Sequence, residues 1–217
     1  MHVAGPKNRR PLASRDTSWA RRLVRRLAAT GMTPNQISAA SIGAAAFAGL
    51  ALAGVAWSDG ALRLALLFVG GVLVQVRLLC NLFDGMLAVE AGRASPTGAF
   101  WNEVPDRPSD MLILVGAGIG ADAAWLGWAA AALAILVAYL RAFGQSLGQD
   151  ADYRGPMAKQ HRMAAITIAC AAGILLSPWL AAGWCLYTAL WIVVLGSVWT
   201  GLRRARRIMA ALADRSR

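Results

Sequence analysis

Acidic residues are scarce in this chain, which has 11 Asp and Glu against 22 Lys and Arg, and several of them are concentrated in one place. Asp84, Glu103, Asp106 and Asp110 fall in the stretch NLFDGMLAVEAGRASPTGAFWNEVPDRPSD, which covers residues 81–110 and is flanked on both sides by apolar sequence. Charged groups are costly in or beside an apolar segment and usually serve a function there. This stretch is therefore the first candidate for a functional site.

Cysteine and histidine are also scarce, with three and two residues. Cys80, Cys170 and Cys185 lie in apolar runs without metal-site spacing, so we expect buried thiols and no disulfide. No cysteine or histidine is suitably placed to bind a metal with the acidic stretch, and we assign His161 no catalytic role. This pattern disfavours zinc, whose sites are built mainly from Cys and His.

Apolar residues make up 58% of the chain and fall into six runs, most of them near the length that crosses a hydrocarbon core about 30 Å thick. The third run is the least apolar, because polar turns precede it, and the fifth is short. We expect an all-α polytopic membrane protein with six transmembrane helices, preceded by an amphipathic interfacial helix. The six runs are 36–57, 61–80, 111–119, 123–139, 163–176 and 180–201.

The net charge of +11 would indicate nucleic-acid binding in a soluble protein. Here the positive residues precede the first run, follow the last, and lie between the fourth and fifth. The connections at 58–60, 120–122 and around 177–178 carry almost none. The positive-inside rule then places both termini in the cytoplasm, as six crossings require. We expect a multi-pass protein of the inner or plasma membrane that binds no nucleic acid.

Four segments are predicted along the chain. Residues 1–17 form a basic, disordered segment, and residues 18–31 form either an amphipathic helix on the anionic inner leaflet or a basic flank without fixed structure. Residues 33–203 form the six-helix transmembrane domain, and residues 204–217 form a basic cytoplasmic tail. The sequence TPNQ, beginning at Thr33, is typical of a helix start with a capping box.

The polar stretch has the spacing of two helical faces, since residues three or four apart share a face. Asn81 and Asp84 share one such face, and Asn102 and Asp106 share another. Two helices meeting with these faces inward would gather oxygen ligands of the kind that bind Mg²⁺, Mn²⁺ or Ca²⁺. The alternative is that the polar groups of this stretch merely cap helices and pair with Arg93 and Arg107.

The same stretch resembles the signature of the CDP-alcohol phosphotransferases, D-x2-D-G-x2-A-R-x8-G-x3-D-x3-D. Every spacing agrees, and the six runs and the Thr-Pro-Asn-x-Ile start of the first run also resemble this family. Three letters depart from the signature, because its first and third aspartates are asparagines here and its arginine is a valine. The residues at the signature positions, including the three that differ, are Asn81, Asp84, Gly85, Ala88, Val89, Gly98, Asn102 and Asp106.

The resemblance implies an enzyme that transfers a phosphatidyl-type group from a CDP-linked lipid to an alcohol acceptor in phospholipid biosynthesis, with release of CMP. It also implies Mg²⁺ or Mn²⁺ as cofactor, contact with membrane lipids and a homodimer. Asp106 would be the catalytic base, and Gly85, Ala88 and Gly98 would line the CDP site. The implied metal ligands are Asn81, Asp84, Asn102 and Asp106.

The two asparagines lower the charge of the implied metal site from four carboxylates to two. An asparagine still offers a carbonyl oxygen, so coordination is possible while electrostatic attraction falls. Glu103 and Asp110 are near in sequence and are candidates to restore charge. We expect one tight metal site rather than two.

Four basic residues are candidates to bind phosphate or the acceptor. Arg77 lies one helical turn before Asn81, where it either binds phosphate in place of the arginine missing at Val89 or extends to the membrane interface. The other three either bind phosphate or the acceptor or are ordinary flanking charges, and they are Arg141, Lys159 and Arg162.

Two other functions stay open. The three departures from the signature motivate a degenerate relative that binds CDP-lipid or lipid without turnover. Six runs with intramembrane polar groups favour a transporter, whereas the gathering of polar residues at one membrane face disfavours it. The sequence does not specify the acceptor, which can be glycerol phosphate, inositol phosphate, an amino alcohol or another lipid.

Overall fold

Helices make up nearly all of the computed structural model, which describes residues 18–90 and 96–215. The expected all-α class is confirmed for these residues, while the predicted basic segment 1–17 lies outside them. A short 3₁₀ turn, Val55–Trp57, follows the second helix. The helices are α1 (Ser18–Ala29), α2 (Pro34–Gly54), α3 (Gly60–Glu90), α4 (Gly98–Glu103), α5 (Asp106–Gly120), α6 (Ala124–Ser146), α7 (Lys159–Leu175) and α8 (Ala182–Arg215).

The capping box predicted at the start of α2 is confirmed. The Thr33 hydroxyl accepts a hydrogen bond from the Gln36 backbone N–H at 3.3 Å, and the Gln36 side chain accepts one from the Thr33 backbone N–H at 2.9 Å. Pro34 occupies the first turn, where its missing N–H costs nothing. This cap fixes where α2 begins.

The first helix lies against the C-terminal part of α3. Ala20 and Val24 are buried in a cluster that includes Phe83 and Leu87, and the Trp19 ring meets the Phe83 ring edge-on at 6.1 Å. Trp19 is itself half exposed. The placement of α1 on a membrane surface stays a prediction.

Six helices, α2, α3 and α5 to α8, form a bundle in which successive members run in opposite directions. The connections α2–α3, α5–α6 and α7–α8 meet at one end of the bundle, around a cavity of about 480 Å³ lined by Val55, Ala121 and Ala181, one residue from each connection. The candidate site residues lie at the other end. Every second connection therefore faces away from the site.

Within the described ranges, four helical segments are long and apolar enough to cross a membrane. Large apolar side chains such as Phe47 and Leu195 are more than 60% exposed, as suits a lipid-facing surface. The helices α5 and α7 have only 15 and 17 residues, about 22 and 26 Å at 1.5 Å per residue, so six crossings stay a prediction. The four segments are Pro34–Trp57, Gly60–Ala88, Ala124–Ser146 and Ala182–Asp214.

Several helices extend beyond the predicted apolar runs. The helix α3 continues to Glu90 rather than ending near residue 80. The helix α8 continues to Arg215, so most of the segment predicted as a tail, 204–217, is helical. Hydropathy locates the part of a helix that suits hydrocarbon, but polar residues prolong the same helix beyond it.

Glycines bring α5 into backbone contact with α2. A Cβ atom added to Gly116 would lie 2.2 Å from the Gly49 carbonyl oxygen, and one added to Gly49 would lie 2.4 Å from the Leu112 carbonyl oxygen. Small residues permit such close approach between helices in a membrane. The contact holds α5 so that its first turns, from Asp106 onward, lie beside α3 and α7.

Candidate functional site

Asp84 on α3 is a buried carboxylate with no ion-pair partner among the described residues. The side chain of Ser38 on α2 donates a hydrogen bond of 2.7 Å to Asp84 Oδ2. Asp84 Oδ1 is buried and has no hydrogen-bond partner in the described part of the chain. Because a buried, unpartnered carboxylate oxygen is costly, this oxygen marks a place suited to an external cation.

Ser38 is a site residue that the sequence analysis missed. It is a hydroxyl residue in an apolar run, four residues after Pro34, and its oxygen also lies 3.1 Å from the Pro34 carbonyl, so its single proton is shared between that carbonyl and Asp84 Oδ2. Serines in apolar helices commonly make that local bond. Its position in the sequence therefore gave no sign that it also reaches Asp84.

The other residues predicted on α3 lie on the Asp84 side of the helix. Asn81 is one turn earlier, and its Nδ2 is buried without a hydrogen-bond partner in the described ranges. Gly85 and Ala88 are partly exposed, so this side of α3 remains accessible beside Asp84. The opposite side packs against α1 through residues such as Phe83.

The short helix α4 carries two further predicted residues. Gly98 begins it, and α4 packs against both α2 and α3. Asn102 also belongs to α4, but its side chain lies outside the described part of the structure, as does that of Val89. The structure therefore brings Gly98 to the same end of the bundle as Asp84 and leaves Asn102 as a predicted ligand.

Asp110 on α5 is clamped between two buried arginines. Arg77 on α3 donates to Asp110 Oδ1 at 2.7 Å, and Arg162 on α7 donates to Asp110 Oδ2 at 2.6 Å. Arg162 also donates to the Met157 carbonyl at 3.1 Å. All three charged side chains are at most 2% exposed. This cluster ties three helices together, and both oxygens of Asp110 are occupied.

Asp106, one turn before Asp110, is also paired with cations. Its Oδ1 accepts hydrogen bonds from Lys159 Nζ on α7 and from Arg77 Nη2 at 3.3 Å. Its Oδ2 takes part in no hydrogen bond among the described residues. The predicted base therefore keeps one carboxylate oxygen for a further partner.

The ammonium of Lys159 is held at the edge of this cluster. Burial lowers the pKa of Lys159 to about 8, against the attraction of Asp106, so the side chain stays largely protonated at neutral pH. The loop before it is anchored to α8, because Thr200 Oγ1 accepts a hydrogen bond from the Met157 backbone N–H at 3.1 Å. Gly155 packs so closely on Thr200 that a Cβ there would lie 2.5 Å from Thr200 Cγ2.

Glu103 and Asp110 do not restore free negative charge to the site, contrary to the expectation from their position in the sequence. Glu103 Oε1 accepts from both Arg107 and Arg141, just as Asp110 accepts from two arginines. The Arg141 guanidinium also lies 5.5 Å from the centre of the Tyr153 ring. Of the alternative pairing with Arg93 and Arg107, the pair of Arg107 with Glu103 is confirmed, Arg93 lies outside the described residues, and the partners of Asp110 are two other arginines.

The predicted phosphate-binding cations are thus engaged within the chain. Each of the four donates to at least one carboxylate, and Arg77 is fully buried rather than extended to an interface. Their binding of phosphate stays a prediction. It would require N–H donors that the ion pairs with carboxylates leave free. The four are Arg77, Arg141, Lys159 and Arg162.

The donor set fits one divalent cation. No three side chains of the His, Cys, Asp and Glu types come together within the described residues to hold a metal ion. The unpartnered oxygen of Asp84, with the Asn81 amide one turn away, suits a single hard cation. Asp106 has one oxygen already held by Lys159 and Arg77. A second divalent cation there would have to displace these groups or bind Asp106 Oδ2 beside their positive charge.

Comparison with curated proteins finds relatives that are named as transferases or synthases. The chain is 41% identical over 117 residues to a bifunctional IPC transferase and DIPP synthase of Rubrobacter xylanophilus, a match that covers 52% of the chain and 24% of the relative. It is 35% identical over 103 residues to an archaetidylinositol phosphate synthase of Aeropyrum pernix, covering 48% of the chain and 53% of the relative. The chain thus spans about a quarter and about half of the length of these two relatives.

A longer match is found with a phosphatidylinositol phosphate synthase of Mycolicibacterium smegmatis. It is 26% identical over 185 residues and covers 82% of the chain and 78% of the relative. No protein-family model matches the chain.

Solved structures share the fold. The Mycobacterium tuberculosis phosphatidylinositol phosphate synthase with CDP-DAG bound superposes with a TM-score of 0.72 at 19% identity, covering 88% of this chain and 94% of that one. The same enzyme in complex with manganese and citrate gives a TM-score of 0.73, with 88% of each chain covered. The fold of this chain is therefore that of these synthases, and the relatives support the CDP-alcohol phosphotransferase family that its motif resembles.

Proposed function

We propose that this protein transfers a phosphatidyl-type group from a CDP-linked lipid to an alcohol acceptor and releases CMP. The observation that carries the proposal is Asp84, a buried carboxylate with a free oxygen, on the helical face that the motif assigns to the CDP site. The shared fold and the names of the relatives support the same reaction. The acceptor class stays open.

The described side chains suggest how the reactants would be held. Gly85 and Ala88 are partly exposed beside Asp84 and would leave space for the nucleotide. Gly98 would line the same site from α4, which packs against α2 and α3. Asp106 Oδ2 is the oxygen left to accept the proton of the acceptor hydroxyl, because Lys159 and Arg77 hold Oδ1. When bound at Asp84, a Mg²⁺ or Mn²⁺ ion would neutralise charge that develops on the phosphates.

The cations around Asp106 orient this carboxylate. Arg77 and Lys159 reach Oδ1 from α3 and α7, so the side chain is fixed from two helices. A base held in one orientation needs less rearrangement when the acceptor arrives. Arg77 and Lys159 therefore act, in this proposal, as positioning residues for Asp106.

The proposed function is tested by CMP release from CDP-diacylglycerol in lipid nanodiscs, with Mg²⁺ or Mn²⁺ and a panel of alcohols, and by mass spectrometry of the lipid formed. Wild-type protein should release CMP with at least one acceptor. The variant Asp106→Asn keeps an oxygen for Lys159 and Arg77 but replaces the proton-accepting oxygen with an amide, so turnover should fall by about 100-fold or more while the CDP-lipid still binds.

Asp152→Asn serves as the matched control. Asp152 also forms an ion pair on the loop before α7, with Arg207 at 2.8 Å, but it has no contact with the candidate site. Its variant should keep wild-type turnover. Undiminished CMP release in Asp106→Asn would remove Asp106 from the proposed mechanism.

A second candidate is a relative that binds CDP-lipid without turnover. The pairing of Asp106 with Lys159 and Arg77 favours it, since both cations compete with a metal ion for the carboxylate. Binding of CDP-diacylglycerol without CMP release for any acceptor or metal would support this candidate over the first.

We further propose that the protein crosses the inner or plasma membrane six times, with both termini in the cytoplasm, and that it forms a homodimer. The alternation of the six bundle helices supports the even number of crossings. Cysteine labelling from each side of the membrane tests the orientation, with exposed Arg154 and Asp122 as positions predicted to lie on opposite sides. Labelling of both from the same side would contradict it.

A further inference from the structure

The carboxylates at the end of the bundle that holds the candidate site differ in one property. Some are paired with an Arg or Lys of the chain, and one is not. Asp110 and Glu103 each accept from two arginines. Asp106 accepts from Lys159 and from Arg77, which it shares with Asp110. Asp84 has only the neutral hydroxyl of Ser38. Among the described residues, Asp84 is therefore the one buried acid of this region without a cation.

The geometry points to a site that takes one divalent cation, on Asp84, and in which the ammonium of Lys159 is a built-in second positive charge, fixed on Asp106. The inference rests on the proposed function, because that function supplies the phosphates that these two positive charges would face. What it adds is that one of the charges comes from a metal ion and the other from a side chain.

Lys159 is placed to supply the second positive charge, because its ammonium is bonded to Asp106 while part of its side chain is still exposed. Its side chain is 21% exposed, whereas Arg77 is fully buried. An ammonium group has three donors, and the Asp106 bond uses one of them. The remaining donors are available for a phosphate oxygen at the accessible edge of the site. Arg77 cannot act in this way, because its guanidinium is buried between Asp106 and Asp110.

The charges at the motif positions also support one metal ion on Asp84 and one ammonium on Asp106. Asp84 and Asp106 carry one negative charge each, and Asn81 contributes none. Lys159 cancels the charge of Asp106, which leaves Asp84 to attract a divalent cation. A second divalent cation would have to displace Lys159 or lie beside its positive charge, and repulsion at such short range in a partly buried site is strong.

Counting bound Mn²⁺ by electron paramagnetic resonance tests the inference on the purified full-length protein, without lipid substrate. Wild type should bind one Mn²⁺ per chain, and Asp84→Asn should bind none with comparable affinity. In Lys159→Met, which removes the ammonium but keeps an apolar stem of similar length, Asp106 retains only Arg77, which it shares with Asp110. This variant should bind a second Mn²⁺ or bind the first about tenfold more tightly.

Three further variants separate the effect of the Lys159 charge from effects of side-chain shape and of general charge. Lys159→Arg retains the positive charge and should still bind a single ion with wild-type affinity. Arg154→Met removes one positive charge from the same loop at an exposed position and should change neither the number of ions nor the affinity. Lys159→Gln repeats the neutral substitution with a polar side chain, so the comparison does not depend on the folding of one variant.

Wild-type binding of two ions, or of none, would overturn the inference, as would neutral Lys159 variants that fold and bind Mn²⁺ as wild type does. These results are separate from CMP release. Suppose that wild type binds one Mn²⁺ ion, that neutral Lys159 variants bind more or bind more tightly, and that no CMP is released. This result would contradict the proposed function and leave the inference standing. CMP release by a protein that binds two ions would do the reverse.

Discussion

Asp84 and Asp110 are carboxylates buried in the same helical bundle, and their surroundings differ in one respect. Asp110 has both oxygens bonded to buried arginines on two other helices. Asp84 has one oxygen bonded to a serine and the other without a partner in the described part of the chain. The first carboxylate has its charge balanced inside the protein and serves to join helices. The charge of the second is balanced by no described ion pair, and the proposed function assigns it to a ligand from outside.

The largest loss of stability is expected when the internally balanced carboxylate is neutralised. Asp110→Asn leaves Arg77 and Arg162 buried with one compensating carboxylate, Asp106, instead of two. Breaking a buried ion pair in this way costs about 3 to 5 kcal/mol. The free energy of unfolding, from a denaturant titration in detergent micelles, should fall by that amount. Wild-type stability in this variant would contradict the structural role of Asp110.

A smaller loss is expected when Asp84 loses its hydrogen-bond donor. Ser38→Ala leaves Asp84 Oδ2 without the 2.7 Å hydrogen bond and keeps the helix intact, since alanine favours α2. An unsatisfied buried acceptor costs about 1 to 3 kcal/mol. The same titration measures it, with Ser41→Ala as a control, because among the described residues the Ser41 side chain bonds only to the Ser38 carbonyl. Added Mn²⁺ should restore part of the loss if it binds Asp84.

The ion pair of Asp152 with Arg207 gives a smaller, pH-dependent effect. Although burial alone acts in the opposite direction, the hydrogen bond from Arg207 holds the pKa of Asp152 below its usual 3.8. The folded-state pKa is thus the lower one, so the stabilisation is complete above about pH 4 and is lost as the pH falls below it. Asp152→Asn should cost about 1 kcal/mol or less at pH 7, because the pair is partly exposed.

The corresponding test compares unfolding of wild type and Asp152→Asn at pH 7 and near pH 3. The difference between the two proteins should shrink at the lower pH. A difference that is constant with pH would show that the loss comes from packing rather than from the charge of Asp152.

The smallest change in stability is expected for Asp84→Asn, which sharpens the contrast with Asp110. The amide keeps an oxygen for Ser38 and removes a buried charge that no described cation balances. The free energy of unfolding should stay constant or rise slightly, while Mn²⁺ binding and CMP release are lost. A loss as large as that of Asp110→Asn would mean that Asp84 also joins helices.

The helices of the bundle were predictable because each contains an apolar run, although those of α5 and α7 are short. The sequence also indicated the capping box at Thr33. Helix ends were less predictable, since α3 and α8 continue through polar residues to Glu90 and Arg215. Hydropathy reports the preference for hydrocarbon, whereas a helix ends where its backbone hydrogen bonds end.

The ion pairs of the site were not predictable from spacing alone. Arg77 and Asp110 are 33 residues apart, and Arg162 and Asp110 are 52 apart. Whether such residues meet depends on how α3, α5 and α7 pack, including the glycine contact between α5 and α2. The motif spacing placed Asn81 and Asp84 on one helical face, but it could not distinguish an acid that binds a ligand from one that binds arginine.

The anchoring of the α6–α7 loop has a consequence for the rate of a reaction at this site. Two hydrogen bonds hold Met157, two residues before Lys159: its backbone N–H donates to Thr200 Oγ1, and its carbonyl accepts from Arg162. A free lysine side chain gives up about 2 kcal/mol of rotational entropy when it is fixed. Here folding has already met part of that cost, so the ammonium is preorganised, and its charge needs little movement when negative charge develops beside it.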